Sequence, residues 1–134
     1  MRILFSSITA AEPVESNQFV DIEGLTFELP PASATEQVAL IILNVPEPFA
    51  EGDVDFPGLQ FGINVNGRVV ARGGFTYEMR RPESRARTPF SLVVRVNLRR
   101  QASLVRAQWR SVRMRSIGRI DSFASLSAVL GQNA

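Results

Sequence analysis

The sequence predicts an all-β protein, a two-sheet sandwich or jelly roll. Two patterns and one size argument lead there. Apolar side chains alternate with polar ones at period two through most of the chain, the signature of half-buried strands. Turn-forming residues recur about every ten positions, the spacing of sandwich and barrel strands. A length of 134 residues with 45% apolar and 21% charged side chains suits one domain around one core, since single domains mostly run to about 100–200 residues.

The elements follow in chain order. Leu25, Phe27 and Leu29 alternate with Thr26 and Glu28, a strand with one wet face. Gln37 to Val45 is a near-continuous apolar run ended by Pro46 and Pro48, which fits a central strand covered on both faces. Leu59, Phe61, Ile63 and Val65 alternate again. Asn66-Gly67 then gives the strongest short hairpin signal, because both residues tolerate positive φ. Val69 to Ala71 forms the return strand, Gly73-Gly74 breaks it, and Phe75 to Met79 starts another. Phe90, Leu92, Val94, Val96 and Leu98 form the cleanest alternation, and Ala124, Leu126, Ala128 and Leu130 the last. The total is eight to ten strands in a single domain, 1–134. Two long loops remain: the acidic, proline-rich residues 46–58 and the arginine-rich residues 80–89.

One stretch supports two readings. In Arg99–Arg115, Ala102, Val105, Trp109 and Val112 fall near helical spacing and would make a basic amphipathic helix for a membrane surface or a nucleic-acid groove. As a strand, Val105, Ala107, Trp109 and Ser111 face one side and Arg106, Gln108 and Arg110 the other. The strands expected on either side favour the second reading.

Missing residue types narrow the chemistry. The chain has no Cys and no His, and all fifteen of its basic residues are Arg. No disulfide, thiolate nucleophile or Cys₄ zinc site is available. The Ser–His–acid triad, the imidazole base, the Schiff-base lysine and the P-loop lysine are absent too. A binding protein rather than an enzyme is expected, with no cofactor and no metal. Charge is split along the chain. Residues 1–66 carry ten carboxylates and one arginine; residues 67–134 carry fourteen arginines and three carboxylates. The near-balance, a net +2, points to halves that interleave within one fold, since a dedicated nucleic-acid binder keeps a large positive excess.

The start, Met1 to Phe5, resembles a secretory signal, but Ser6-Ser7 interrupts its apolar run well short of the ~7–15 residues a signal core needs. No apolar stretch approaches the ~18 residues that cross a bilayer. The expectation is a soluble protein without membrane insertion, either cytoplasmic or exported without a cleaved signal.

Two constellations carry candidate chemistry. Glu47, Glu51, Asp53 and Asp55 are oxygen ligands of the kind that cage Ca²⁺, without the spacing of a calcium loop; a solvated acidic loop is the plainer reading. They also offer a carboxylate pair for glycoside hydrolysis, which a chain of this size with no cleft signature does not favour. After the hairpin come Thr76, Tyr77, Ser84, Arg85 and Arg87. Hydroxyls and planar guanidinium forks suit an uncharged, hydroxyl-rich ligand, because an Arg fork donates in fixed directions to paired hydroxyls. An aromatic ring adds a flat face for the apolar side of a pyranose. A polar turn with scattered arginines would look the same.

Several segments keep a familiar order and spacing. They are Phe19 to Leu25, Ile42 to Pro46, Phe56 to Leu59, Phe75-Thr76-Tyr77, Pro82-Glu83-Ser84, Gln108 to Arg113 and Ile120 to Ala128. Together they resemble, almost end to end, the fucose-binding, tumour-necrosis-factor-like N-terminal domain of bacterial two-domain superlectins. The resemblance implies a TNF-like jelly roll assembled as a homotrimer, with metal-independent sites for fucosylated oligosaccharides between neighbouring protomers.

Carried over residue by residue, the resemblance places fucose contacts at Thr76, Tyr77, Ser84, Arg87 and, from an adjacent protomer, Arg113. Three positions depart from the family pattern. Gln60 and Phe49 stand where the family has Tyr, and Arg85 stands where it has Thr. The loop after Arg113, Met114–Gly118, is expected to be one residue longer than usual and to carry Arg115. The rival readings are a basic nucleic-acid-binding module using Arg95–Arg119 and Trp109, and a TNF-like trimer that meets a protein and no sugar.

Overall fold

A computed structural model describes residues 1–52, 56–78, 86–113 and 115–132. The strands among them are β1 (Arg2–Ile8), β2 (Val20–Leu29), β3 (Val38–Val45), β4 (Phe49–Gly52), β5 (Gly58–Val65), β6 (Arg68–Thr76), β7 (Phe90–Asn97), β8 (Ser103–Ser111), β9 (Ser116–Arg119) and β10 (Ala124–Gly131). No helix among the described residues is long and apolar enough to cross a membrane.

The architecture is an antiparallel ribbon rolled into a sandwich. β5 and β6 meet at the Asn66-Gly67 hairpin, where φ is 53° and 88° at the two turn residues, as a type I′ turn demands. Going outward from that tip, β3 pairs with β7, β2 with β8 and β1 with β10, all antiparallel. Lateral pairing of β10 with β3 and of β8 with β5 then gives two four-stranded sheets, β1-β10-β3-β7 and β2-β8-β5-β6. That connectivity is a jelly roll. The short pair β4-β9 lies beside one end, with an isolated bridge from Val14 to Gly118.

The inner faces are the predicted apolar sets. Leu25 and Leu29, Ile41 and Leu43, Leu59 and Ile63, Leu126 and Leu130 are all buried. Phe61 lies at the centre of an aromatic stack that ties the sheets together. Its ring centroid is 4.7 Å from Phe90 on β7 and 6.1 Å from Trp109 on β8. The ambiguous stretch is β8, a strand, with Val105, Ala107, Trp109 and Ser111 inward and Arg106 and Arg110 outward. Trp109 is 1% exposed, so it belongs to the core and has no face to offer a nucleic-acid base.

The start, rejected above as a signal, is strand β1, paired with β10 from Arg2↔Leu130 to Ile8↔Ala124, with Ile3 and Phe5 pointing outward. Three expectations are corrected. Gly73-Gly74 does not break a strand, since β6 runs through both. A Cβ at Gly74 would lie 2.0 Å from the Leu59 carbonyl oxygen, and one at Gly58 would lie 2.3 Å from that of Phe75. These glycines let β5 and β6 close together. The acidic loop contains β4, whose partner is β9; Asp53 and Asp55 lie outside the described residues. Of the segment expected as a longer loop after Arg113, Ser116 to Gly118 belong to β9, and the Ser116 N–H donates to the Arg113 carbonyl at 3.1 Å; Met114 lies outside the described residues. Arg115 takes φ 67° there.

The outer faces differ in character. On β1-β10-β3-β7 the register aligns Ile3, Val129, Leu40 and Arg95 in one row, and Phe5, Ser127, Ile42 and Val93 in the next. Ile3, Phe5 and Val93 are more than half exposed, at 62%, 60% and 54%. The outer face of β2-β8-β5-β6 is instead polar, with Asp21, Thr26, Gln60, Arg72, Arg106 and Arg110.

Truncating the central ring tests the core. Phe61→Ala is expected to cost about 3–5 kcal/mol, the usual range for a buried aromatic, measured as the shift in urea unfolding free energy.

Candidate functional site

At one end of the sandwich the chain passes from β3 into β4, from β6 towards β7 and from β9 into β10. Proline explains part of this geometry. Pro46 and Pro48 end β3, and the free Pro48 carbonyl accepts the Thr88 N–H at 3.1 Å. The Pro57 carbonyl accepts the Tyr77 N–H at 2.9 Å. Proline lacks an N–H but keeps its carbonyl, so both carbonyls serve to hold the segment after β6 against the loop before β5.

Tyr77 fastens this end. Its hydroxyl accepts the Ala50 N–H at 3.1 Å and donates to the Ala86 carbonyl at 2.6 Å. Its ring packs against Phe75 at 5.4 Å. Burial raises the phenol above its ordinary pKa of 10, while the Ala50 hydrogen bond, Thr88 and the nearby Arg87 charge pull the other way. The neutral phenol is therefore the working form near neutrality, which its role as a donor requires.

Arg87 is held from three directions. Its Nη1 and Nη2 pair with the two carboxylate oxygens of Asp121 at 2.5 and 2.9 Å. Nη1 also donates to the Glu47 carbonyl at 3.2 Å. The guanidinium carbon stands 4.8 Å above the ring of Phe49, the cation–π geometry. A bidentate fork on carboxylate, with an aromatic floor, leaves one orientation for the guanidinium plane. Hydrogen bonding to Arg87 is the main reason the Asp121 carboxyl is held below its ordinary range, and the same bond raises Arg87 further. Both groups are open to solvent, so the pair's role is to fix geometry; an exposed ion pair adds little to stability.

The structure thus brings Phe49, Tyr77 and Arg87 into one cluster, with Thr76 exposed on the adjoining backbone opposite Gly58. Phe49 is 7% exposed, a platform beneath Arg87. Arg113 follows β8 at the same end. The neighbouring Val112 N–H donates to the Gly58 carbonyl at 3.1 Å, and the Ser111 hydroxyl donates to the carbonyl of Arg113 itself at 2.6 Å. Gln60 lies further along β5, where its carboxamide oxygen accepts Arg110 Nε at 2.7 Å. Ser84 and Arg85 lie outside the described residues. Sequence reasoning missed Asp121. It sits 34 residues from Arg87, and only the joining of β9 to β10 beside the loop reveals the pair. Of the acidic residues once weighed as metal ligands, Glu51 is paired with Arg119, and Glu47 turns its carbonyl to Arg87.

A sequence model of the family described as Bc2l-C, N-terminal domain, matches residues 6–129. The chain belongs to this family. It is the family that the segments from Phe19 to Ala128 resemble, and the match spans β2 to β9 in full together with the end of β1 and most of β10. No curated protein sequence matches the chain. Among solved structures, a protein of infectious bursal disease virus (Gt strain) aligns at TM-score 0.51 and 17% identity, over 99% of this chain and 34% of that one. The CBM36-1 domain of a multidomain xylanase from the hindgut metagenome of Trinervitermes trinervoides aligns at 0.48 and 7%, over 99% and 100%. The insecticidal delta-endotoxin Cry8Ea1 of Bacillus thuringiensis aligns at 0.46 and 11%, over 90% and 19%. The chain therefore spans about a fifth of the toxin and a third of the viral chain. The viral likeness concerns the fold alone.

The Tyr77 hydroxyl is the cheapest element of the cluster to test. Tyr77→Phe leaves the Ala50 N–H, on a residue with no exposure, without its acceptor. The expected loss is about 1–3 kcal/mol, the penalty for an unsatisfied buried donor, read from urea unfolding.

Proposed function

We propose that the protein is a non-catalytic lectin that binds fucosylated glycans, without metal, at sites between the protomers of a homotrimer. The observation that carries this reading is the Arg87 guanidinium, fixed by Asp121 and Phe49, in a chain of the Bc2l-C N-terminal family. A pre-oriented guanidinium loses little freedom on meeting a ligand. Its Nε–H and the rest of Nη2 remain to bond adjacent ring hydroxyls, charge-assisted donors to neutral acceptors. Thr76 and Ser84 add neutral hydrogen bonds, Tyr77 shapes the wall through the backbone it fastens, and Arg113 of an adjacent protomer closes the site. Phe49 acts through Arg87, and Gln60 and Arg85 set what can lie beside the fucose.

Assembly has its own support. The outward rows Ile3, Val129, Leu40, Arg95 and Phe5, Ser127, Ile42, Val93 put six apolar side chains on two adjacent rows, beside a polar row of Ser7, Ser125, Asn44 and Ser91. Exposed apolar patches of this kind mark interfaces. A second and third copy of this chain, each turning the same face to a threefold axis, would cover it with closed symmetry. Each sugar site is expected in the micromolar to millimolar range, about −8 to −4 kcal/mol. Three sites on one body then raise avidity on a glycan-coated surface.

Arg87→Ala and Arg113→Ala are each expected to abolish fucose binding in calorimetry while the trimer persists on a sizing column. Asp121→Asn is expected to weaken binding at least tenfold by releasing Arg87. Normal fucose affinity in any of these variants removes that residue from the site, and normal affinity in all three refutes the reading.

Acid gives a further check. The carboxyl of Asp121 is depressed, so its pairing with Arg87 is complete above the ordinary Asp range near 3.9. Pairing is lost only as pH falls through the lowered value. Fucose affinity is therefore expected to stay level between pH 7 and pH 5 and to fall only in stronger acid.

For assembly, Phe5→Glu combined with Val93→Glu is expected to yield monomers by light scattering. A trimer that survives both charges locates its interface elsewhere.

A further inference from the structure

Beyond the proposed fucose contacts, the outer face of β5, β6 and β8 carries two arginines that pair with no carboxylate among the described residues. Arg110 is half-buried. Its guanidinium carbon lies 4.8 Å above the ring of Phe19, and its Nε is committed to Gln60. Both partners are neutral. Among the described residues no carboxylate reaches Arg110, and its two terminal nitrogens have no acceptor there. Arg72, exposed on β6, likewise has no carboxylate partner among them.

Register places the two arginines on one surface. Arg110 pairs with Gln60, Gln60 with Gly74, and Arg72 with Gly62. They are thus two strands apart and one inward–outward repeat along, roughly 12 Å between Cα atoms from standard sheet spacings. Two arginine side chains can bracket one ligand group across that gap. The ground between them is low, because Gly74 has no side chain and the Phe19 ring lies flat over Gly62, 3.2 Å from where a Cβ would sit. Of the acids on the outer side of β2, Glu28 lies in the Leu104 row, Glu23 is exposed beside Arg106, and Asp21 is spoken for. It accepts Arg106 Nη1 at 3.1 Å and Gln108 Nε2 at 2.8 Å, and Gln108 is in turn held by Asn64 at 3.2 Å. Asp21 therefore offsets Arg106, and among the described residues no carboxylate pairs with Arg72 or Arg110.

We infer that this patch is an extension of the sugar site that takes an anionic saccharide residue, a carboxylate or sulfate ester on the unit next to fucose, between Arg110 and Arg72. The inference rests on the fucose reading, since Gly74 and Gln60 join the patch directly to Thr76. Desolvating a guanidinium without an anion is costly, and Arg110 is already partly desolvated and locked by Phe19 and Gln60. A planar fork with free terminal N–H groups matches carboxylate or sulfate oxygens in bidentate fashion. A neutral hydroxyl would answer the hydrogen bonds and not the charge.

The test compares three probes by calorimetry on the intact protein: a neutral fucosylated oligosaccharide, the same with a sialic-acid carboxylate on the adjoining unit, and the same with a sulfate ester there. At low ionic strength one or both acidic probes are expected to bind at least fivefold tighter than the neutral one. The preference should shrink in 0.5 M salt, as screening requires, and approach unity in Arg72→Gln and in Arg110→Gln. The ratio of acidic to neutral affinity is the readout, so a general weakening in either variant cancels. Arg72→Gln should leave the neutral probe within twofold of the unaltered protein. If neutral and acidic probes bind alike, or if the preference survives both substitutions, the anionic subsite is wrong while the fucose reading stands. If no probe binds, the fucose reading fails and this extension with it.

Discussion

The stacking of Phe61 between Phe90 and Trp109 holds the two sheets at a fixed distance and rotation, and the rest of the molecule is arranged around it. β5 and β8 belong to one sheet and β7 to the other. A single aromatic group thus spans the layer gap of about 10 Å that sandwich sheets keep. Once Phe61 and Trp109 point inward, the period of two fixes every other side chain on β5 and β8. Gln60 and Arg110 have to face out, and so does the Gly62 position that Phe19 covers. The polar outer surface is a consequence of where the rings must go.

The same alternation acts differently on the other sheet. β1 and β7 place Leu4, Ile8, Leu92 and Val94 towards the core, which forces Ile3, Phe5 and Val93 outward. A strand with one solvated face would carry polar residues at those positions. This sheet carries apolar ones at Ile3, Phe5, Leu40, Ile42, Val93 and Val129, among outward polar residues such as Ser127 and Arg95. That part of the face is the surface on which the proposed assembly rests.

Within the cluster at the sandwich end, function is built from constraint more than from the number of contacts. Arg87 is solvent-accessible and its ion pair adds little stability, yet Asp121, Glu47 and Phe49 remove its freedom one degree at a time. Tyr77 does the same for the backbone on which Thr76 stands. Two proline carbonyls complete the frame. A small polar ligand gives little apolar area to bury, so affinity depends on donors that are already aimed. That is the economy of a shallow site on a β scaffold, where rigid strands position a few loop groups.

By itself the sequence determined what short-range physics controls. It settled the all-β class, the Asn66-Gly67 hairpin, the inward sets on β5, β7, β8 and β10, and the exclusion of Cys-, His- and Lys-based chemistry. The ordered segments from Phe19 to Ala128 also announced the family. Where it misled, the cause was an interaction beyond the reach of a local pattern. Gly73-Gly74 reads as a break until the Leu59 carbonyl is placed against it. Residues 46–58 read as a loop until β9 arrives from seventy residues away. Only the tertiary structure decided that Asp121 belongs with Arg87, that Phe49 is a floor and not an exposed stacking face, and that Arg110 and Arg72 share a face on which neither pairs with a described carboxylate. Those facts concern separations through space, which chain closure fixes and residue order alone does not encode.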